Sequence, residues 1–182
     1  MKKPLLIVLT GRPASGKTTL AHLLTTKIQC PLISRDEMKE GYITTHGAGQ
    51  SMQEDATALH IYKLFFEAVD LMVSNGVSVI AEAAFQDNLW KPKLLGLQQK
   101  VHIKIIICAV PGEVAADRFA QRLLSDPRRQ TFHADDLLKK TAGLKTCFYQ
   151  PVNIDAPLLT VDTTNGYNPG VDKIIRFIQQ TN

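Results

Sequence analysis

The sequence has few cysteines, few aromatic residues and no long apolar run. Only 3 of its 182 residues are cysteine, and they are widely spaced without a C-x-x-C pair. This pattern argues against a disulfide framework or a zinc ribbon and favours reduced, packed thiols. No apolar run approaches the roughly 18 residues that a membrane span needs. Aromatic residues make up 7% of the chain and the formal net charge is +4, a balance that does not by itself indicate a nucleic-acid partner.

The N-terminal segment MKKPLLIVLTG has an apolar stretch too short for a secretory signal peptide. Leu5–Leu9 is the whole apolar stretch, where the apolar region of a signal peptide has about 7–15 residues. We therefore expect a cytoplasmic, soluble protein without a membrane partner. The length and the 45% of hydrophobic residues are typical of one globular domain, which we expect to span residues 1–182. These features leave the oligomeric state open.

Strand-like and helix-like segments alternate along the chain. The strand-like runs are apolar and rich in β-branched residues, whereas the helix-like runs repeat apolar residues at steps of three and four. Because helices separate the strands, the pattern predicts an α/β fold with a parallel sheet and helices on both faces. Two polar segments, Gly41–Gln50 and Ser125–His133, are predicted to be loops. The five strands are expected at Leu5–Leu9, Pro31–Ser34, Val77–Phe85, Val101–Val110 and Pro157–Asp162.

The segment GRPASGKT lies between the first predicted strand and a predicted helix at Thr18–Ile28. It has the form G-x-x-x-x-G-K-[ST], in which glycines permit close backbone approach and N–H groups at a helix N-terminus wrap a phosphate chain. The spacing predicts that Lys17 reaches the terminal phosphates and that the Thr18 hydroxyl binds Mg²⁺. We therefore expect a nucleoside triphosphate site formed by Gly11, Arg12, Pro13, Ala14, Ser15, Gly16, Lys17, Thr18 and Thr19.

An acidic residue follows the second predicted strand, in the stretch ISRDEMKEG. Ligands of open parallel sheets bind at the carboxyl ends of the strands, so Asp36 is expected close to the triphosphate. There it is a candidate for orienting or deprotonating an acceptor hydroxyl, and Arg35 for steadying the acceptor. The alternative is structural: Ser34 or Asp36 caps a helix. In that case Glu37 and Lys39 lie on a solvated face.

A second acidic residue, Glu82, ends the third predicted strand and has apolar neighbours on both sides. A carboxylate at the end of a buried strand needs a partner. One interpretation is that Glu82 holds Mg²⁺, directly or through water. Another is that it contacts the acceptor, and a third is a strand end that is simply exposed to water.

Four arginines lie within twelve residues of the stretch DRFAQRLLSDPRRQTFH. Arg118 and Arg122 are four residues apart and share a helix face, and Arg128 and Arg129 follow in a polar stretch. Arginines that close over a transferring phosphoryl group stabilise its charge and exclude water. We therefore predict a short arginine-rich lid over about residues 122–135. The alternative is a solvated basic helix end, which the helix dipole favours.

These motifs resemble those of the small P-loop kinases of the adenylate-kinase-like branch, especially the predicted kinases of the AAA-like family. The branch includes gluconate and shikimate kinases, chloramphenicol phosphotransferase, the zeta toxins and the kinase module of polynucleotide kinase. GRPASGKTTL is similar to their phosphate loop. SRDEMKE is similar to the segment whose aspartate activates the acceptor hydroxyl, a role that the resemblance assigns to Asp36. The resemblance implies a three-layer P-loop NTPase fold of sheet order 2-3-1-4-5, with ATP and Mg²⁺ as the donor.

Two further segments carry the resemblance into the nucleotide site. DRFAQR resembles the start of the adenylate kinase lid, which implies that Arg118 stacks on adenine and Arg122 clamps phosphates. VDTTNG, at residues 161–166, resembles the segment after the last strand that packs near the adenine. The stretch EGYITTHGAGQSMQED shows no clear AMP-binding pattern, which argues against a nucleotide monophosphate as acceptor.

The sequence therefore predicts an ATP-dependent phosphotransferase that moves the γ-phosphoryl group to a hydroxyl of a small-molecule acceptor. A polynucleotide 5′-hydroxyl kinase is one alternative, and the scarcity of aromatic residues interleaved with basic ones counts against it. An ATP-binding switch with slow hydrolysis and no acceptor is another. The absence of an N/T-K-x-D motif favours ATP over GTP. The catalytic residues of the predicted transfer are Lys17, Asp36, Arg122 and Arg128.

Overall fold

The computed structural model describes residues 3–47, 54–125, 142–145 and 149–180. The strands are β1 (Leu5–Gly11), β2 (Leu32–Ser34), β3 (Val79–Glu82), β4 (His102–Ala109) and β5 (Leu158–Asp162). The helices are α1 (Lys17–Ile28), α2 (Arg35–His46), α3 (Glu54–Ser74), α4 (Asp87–Leu97), α5 (Gly112–Ser125) and α6 (Val171–Gln179). None of the helices in these ranges is long and apolar enough to cross a bilayer.

The five strands form one parallel sheet in the order β2-β3-β1-β4-β5. This order confirms the P-loop NTPase fold and the strand order 2-3-1-4-5. Register places Leu9 beside Glu82 and Ser34 on the other side of Glu82. The ends of β1, β2 and β3 therefore meet at one edge of the sheet, where ligands of parallel sheets bind.

Helices cover both faces of the sheet and bury two separate hydrophobic cores. One core joins the sheet to α3 and α4 through Phe65 and Trp90, and the other joins it to α1 and α6 through Leu24 and Ile174. β1 contributes alternate residues to the two cores, which is why its sequence is a continuous apolar run. Full burial of a Leu or Phe side chain stabilises the fold by about 1.5–3 kcal/mol. The three layers hold the sheet edge, and hence the site, in a fixed frame.

The structure corrects the predicted bounds of a loop and of a strand. α2 continues to His46, so the first part of Gly41–Gln50 is helical rather than a loop. The reason is tertiary packing: α2 lies against α3 and Ile43 is buried, which outweighs the low helix propensity of Gly41. β3 is also shorter than the predicted Val77–Phe85. It ends at Glu82 because the chain then leaves β1 to enter α4.

Candidate active site

The loop between β1 and α1 has a backbone that requires its glycines. Gly11 has a φ of 145°, and a Cβ added there would lie 2.3 Å from the carbonyl oxygen of Cys108. Gly16 has a φ of 80° and directly precedes α1. Ala14 also has a positive φ, of 60°. This turn directs the chain so that the first N–H groups of α1 face the loop, as an anion site at a helix N-terminus needs.

Lys17 lies across this loop and is withdrawn from solvent. Its ammonium donates to the carbonyl oxygen of Arg12 at 3.0 Å, and the residue is 6% exposed. Burial lowers the pKa of Lys17 below its ordinary value, while the negative charges of Glu82 and Asp36 act against that shift. The sheet edge therefore brings together the three charged groups that the sequence predicted for the site.

Glu82 connects the phosphate loop to the end of β2. Its Oε2 accepts a hydrogen bond from the Ser34 hydroxyl at 2.8 Å and from the Thr18 hydroxyl at 3.3 Å. The residue is 1% exposed, so the interpretation of Glu82 as a strand end open to water is wrong. Burial raises the pKa of Glu82, and the Lys17 charge and the two hydroxyl groups oppose this shift.

The oxygen atoms around Glu82 suit a magnesium ion. Mg²⁺ prefers oxygen ligands, and in nucleotide sites it is usually bound through one or two carboxylates together with phosphate oxygens. Thr18 and Glu82 supply a hydroxyl and a carboxylate 3.3 Å apart, next to the lysine that the sequence predicts for the phosphates. The residues present therefore fit the ion.

Asp36 and Arg35 form the first turn of α2. Arg35 Nη1 donates to Asp36 Oδ1 at 2.9 Å, and the two side chains are 21% and 43% exposed. Ser34 precedes the helix, but its hydroxyl donates to Glu82 instead of capping α2. Lys39 is 8% exposed, so its predicted place on a solvated face, in the capping alternative, is wrong. The Asp36 charge acts on both Lys17 and Glu82, which places this carboxylate at the sheet edge.

The two arginines of α5 project to different parts of the site. Arg118 Nη2 donates to the carbonyl oxygens of Thr163 and Thr164 at 2.7 and 2.8 Å, in the segment that resembles an adenine-adjacent one. Arg122 lies close enough to Lys17 for its positive charge to lower the pKa of the lysine further, in addition to the effect of burial. Arg128 and most of the predicted lid lie outside the described residues.

Other members of the predicted phosphate loop have diverse surroundings. The Arg12 guanidinium donates to the carbonyl oxygen of Leu144 at 3.2 Å, so this side chain extends toward residues 142–145. The Ser15 carbonyl oxygen accepts a hydrogen bond from the Thr163 hydroxyl at 2.7 Å. Pro13 and Thr19 are exposed. The loop is therefore held from outside by Thr163, which the sequence indicated only through the resemblance of VDTTNG.

Residues 6–147 match the family model AAA_33, described as an AAA domain. The chain belongs to this family. A crystal structure of a candidate kinase from Chloroflexus aurantiacus J-10-fl aligns with this AAA_33 member at a TM-score of 0.85 and 28% identity, over 98% of each chain. This match and the family confirm the resemblance to P-loop kinases. None of the curated protein sequences matches the chain.

Two more distant structures share the fold of the AAA_33 chain. A gluconokinase from Sinorhizobium meliloti 1021 aligns with a TM-score of 0.59 and 15% identity, over 98% of this chain and 93% of its own. The APS kinase CysC of Mycobacterium tuberculosis, in complex with AMPPNP and APS, aligns with a TM-score of 0.66 and 14% identity, over 99% of this chain and all of its own. At these identities the two alignments show that the fold is shared.

Sequence reasoning missed two groups that complete this edge of the sheet. Ser34 was expected only as a cap, although parallel register with β3 places it beside Glu82. Thr10 and Tyr149 were not singled out, yet their hydroxyl oxygens are 2.6 Å apart next to the phosphate loop. The only sequence signal for Thr10 is a hydroxyl at the end of an otherwise apolar strand.

Proposed function

We propose that this protein transfers the γ-phosphoryl group of ATP, bound with Mg²⁺, to a hydroxyl group of a small-molecule acceptor. The observation that carries the proposal is the meeting of Lys17, Glu82 and Asp36 at one end of the sheet, beside a loop with phosphate-binding geometry. An NTP site alone needs the lysine and the loop. The additional aspartate, about half exposed at the start of α2, is the group that an acceptor hydroxyl requires.

The residues that bind the phosphate donor act mainly by placing positive charge and N–H groups around the phosphates. The backbone of Gly11–Thr18 wraps the phosphate chain, and Lys17 contacts its terminal oxygens. Thr18 and Glu82 would hold Mg²⁺, which neutralises charge on the phosphates when it is bound. Arg122, whose charge is felt at Lys17, adds positive charge where the equatorial oxygens of the transferring group carry negative charge. Arg128 belongs to this proposed set through its place in the sequence.

The acceptor half of the site centres on Asp36. Its carboxylate accepts the proton of the attacking hydroxyl, or orients that hydroxyl in line with the phosphorus atom. Arg35 Nη1 donates to Asp36 Oδ1 at 2.9 Å, which orients the carboxylate at the start of α2. Both residues lie at the start of α2, so substrate contacts beyond the hydroxyl would fall to α2 and to neighbouring segments.

A product screen tests this proposal directly. The purified protein is incubated with MgATP and pools of sugars, antibiotics, nucleosides and 5′-hydroxyl oligonucleotides, and ADP release and product masses are followed. We expect one small-molecule pool to stimulate ADP release and to gain one phosphoryl group. Transfer only to the oligonucleotides would overturn the small-molecule acceptor in favour of a polynucleotide kinase. A change in oligomeric mass with nucleotide, without any phosphorylated product, would instead support a switch.

A further inference from the structure

Two hydroxyl groups, that of the buried Thr10 and that of the partly buried Tyr149, meet where β1 and β3 separate. The pairing of these strands ends with Leu9 beside Glu82, and the N–H of Ala83 then donates to Leu9 at 3.2 Å. Beyond that point β1 enters the phosphate loop and β3 leads to α4. The Thr10 and Tyr149 hydroxyl oxygens lie at this fork, 2.6 Å apart.

The hydroxyl pair bridges the two diverging chains. One of the two hydroxyl groups donates to the other. The remaining proton is donated to a carbonyl oxygen, either that of Ala83, 2.9 Å from the Thr10 oxygen, or that of Phe85, 3.0 Å from the Tyr149 oxygen. The indole N–H of Trp90 donates to the Thr10 oxygen at 3.1 Å. Thr10 and Trp90 are fully buried, so water does not replace the hydrogen bond between them without a rearrangement of the core.

The Tyr149 hydroxyl also reaches the start of the phosphate loop, through Thr10. Thr10 directly precedes Gly11, the first residue of that loop, so the 2.6 Å contact between the two hydroxyl oxygens holds the chain where the loop begins. Burial raises the pKa of Tyr149, and an ordinary tyrosine hydroxyl is already protonated at neutral pH. The Tyr149 hydroxyl can therefore act as a donor or as an acceptor in this pair.

The segment that carries Tyr149 is itself attached to α4. The N–H of Asp87 donates to the carbonyl oxygen of Gln150 at 3.2 Å, and the Asp87 carboxylate accepts from the N–H of Asn153 at 2.6 Å. Tyr149 is thus attached to α4, which follows Glu82 in the chain, and contacts Thr10 at the start of the phosphate loop. A residue held in this way can fix the distance between the phosphate loop and the strand that carries Glu82.

We propose that Tyr149 is a positioning residue, which holds the start of the phosphate loop in register with the strand that carries Glu82. This inference rests on the proposed function, since phosphoryl transfer needs the loop and the Glu82 carboxylate in one fixed arrangement. The wrapping of phosphate by the loop has its own internal contacts, such as Lys17 to Arg12 at 3.0 Å. Loss of the Tyr149 hydroxyl should therefore impair turnover more than it impairs MgATP affinity.

The test compares Tyr149→Phe with Tyr62→Phe. The Tyr62 hydroxyl also contacts a backbone carbonyl oxygen, that of Leu89 in α4 at 3.3 Å. It forms no hydrogen bond with the phosphate loop in the described part of the chain, so Tyr62 is a matched control. MgATP affinity is measured by calorimetry, turnover as ADP release with water as acceptor, and folding by thermal unfolding. For Tyr149→Phe we expect turnover to fall by about 10- to 100-fold, with MgATP affinity within about threefold of the wild type. Tyr62→Phe should match the wild type in both.

Thr10 variants provide a second, independent comparison. Thr10→Ser keeps the hydroxyl and should behave nearly as the wild type, whereas Thr10→Val should show the same selective loss of turnover as Tyr149→Phe. The two losses should not add in the double variant, because both remove one shared network. If Tyr149→Phe does not fold, the difference in turnover between Thr10→Ser and Thr10→Val tests the inference instead.

Two results would overturn the inference. If Tyr149→Phe only lowers the unfolding temperature, and its turnover equals that of Tyr62→Phe, then Tyr149 has a structural role and not a positioning one. A wild-type protein that does not bind MgATP would overturn the proposed function and this inference with it. The affinity measurement on the wild type therefore separates the two failures.

Discussion

The Thr18 hydroxyl donates to Glu82 Oε2 at 3.3 Å, which joins the phosphate loop to the end of β3. Glu82 is buried among apolar residues, and its polar partners in the described part of the chain are two hydroxyl groups and the nearby Lys17 charge. Burial of a carboxylate among apolar groups destabilises the fold unless the carboxylate has a strong partner. Its presence at this position therefore indicates such a partner or a function. Thr18 and Glu82 therefore place a hydroxyl oxygen and a carboxylate oxygen side by side at the edge of the sheet.

Replacement of Glu82 by glutamine should remove the carboxylate and leave the fold intact. The amide oxygen still accepts the hydrogen bonds of Ser34 and Thr18, so the free energy of unfolding should change by no more than about 1 kcal/mol. Turnover of MgATP should fall by about 100-fold or more, because the site loses the charged ligand for the ion. The matched control is Glu67→Gln, an exposed acid on α3. Equal turnover in the two variants, measured as ADP release, would refute the role of Glu82.

Asp36→Asn should abolish transfer to the acceptor without abolishing binding of the donor. Loss of a general base or orienting carboxylate lowers the rate of transfer by about 10²–10⁴-fold. The side chain is 43% exposed, so its charge should alter MgATP affinity by at most about fivefold. Glu37→Gln changes the neighbouring acid, which pairs with His22, and should keep wild-type transfer. Phosphorylated product is measured by mass spectrometry, and a wild-type rate for Asp36→Asn would rule out the base.

Gly11→Ala should damage the phosphate loop, whereas Gly41→Ala should not. A Cβ added at Gly11 would lie 2.3 Å from a backbone oxygen, and the φ of this residue is 145°. Strain of about 1–3 kcal/mol corresponds to roughly 5- to 150-fold weaker binding of MgATP. Gly41 lies exposed within α2, and nothing lies within 4 Å of an added Cβ. Alanine at Gly41 should therefore raise the free energy of unfolding by about 0.5–1 kcal/mol. Calorimetry and denaturant unfolding measure the two effects, and unchanged MgATP binding by Gly11→Ala would contradict the loop geometry.

Cys108 should resist alkylation in the folded protein. Burial beneath the phosphate loop raises the pKa of its thiol to about 12, although the Lys17 charge opposes the rise. Below that pH the thiol form dominates, so at pH 8 only about 1 molecule in 10,000 carries the reactive thiolate. Peptide mapping after iodoacetamide treatment should find Cys108 unmodified until the chain is unfolded. Rapid modification of Cys108 in the native protein would mean that the space beneath the loop is open and more polar than described.

The sequence was most informative where function depends on neighbouring residues. The loop Gly11–Thr18 could be predicted because its glycines, lysine and hydroxyl act through local backbone geometry. Glu82 could be predicted because an acid that ends an apolar run stands out. The Ser34 hydroxyl and Tyr149 could not, because their roles depend on strand register and on contact across 139 positions of the chain. The helical part of α2 after Gly41 was missed because packing, and not propensity, determines it.

The central claim is that Lys17 and the loop around it bind the phosphates of a nucleoside triphosphate. The most direct measurement is calorimetric titration of MgATP into the wild type, Lys17→Ala and Lys27→Ala, the last being an exposed lysine at the other end of α1. We expect binding by the wild type and Lys27→Ala, and at least about 100-fold weaker binding by Lys17→Ala, because a buried charged contact is lost. Thermal unfolding checks that the variants are folded. Absence of binding of both MgATP and MgGTP to the wild type, or undiminished MgATP binding by Lys17→Ala, would contradict the claim.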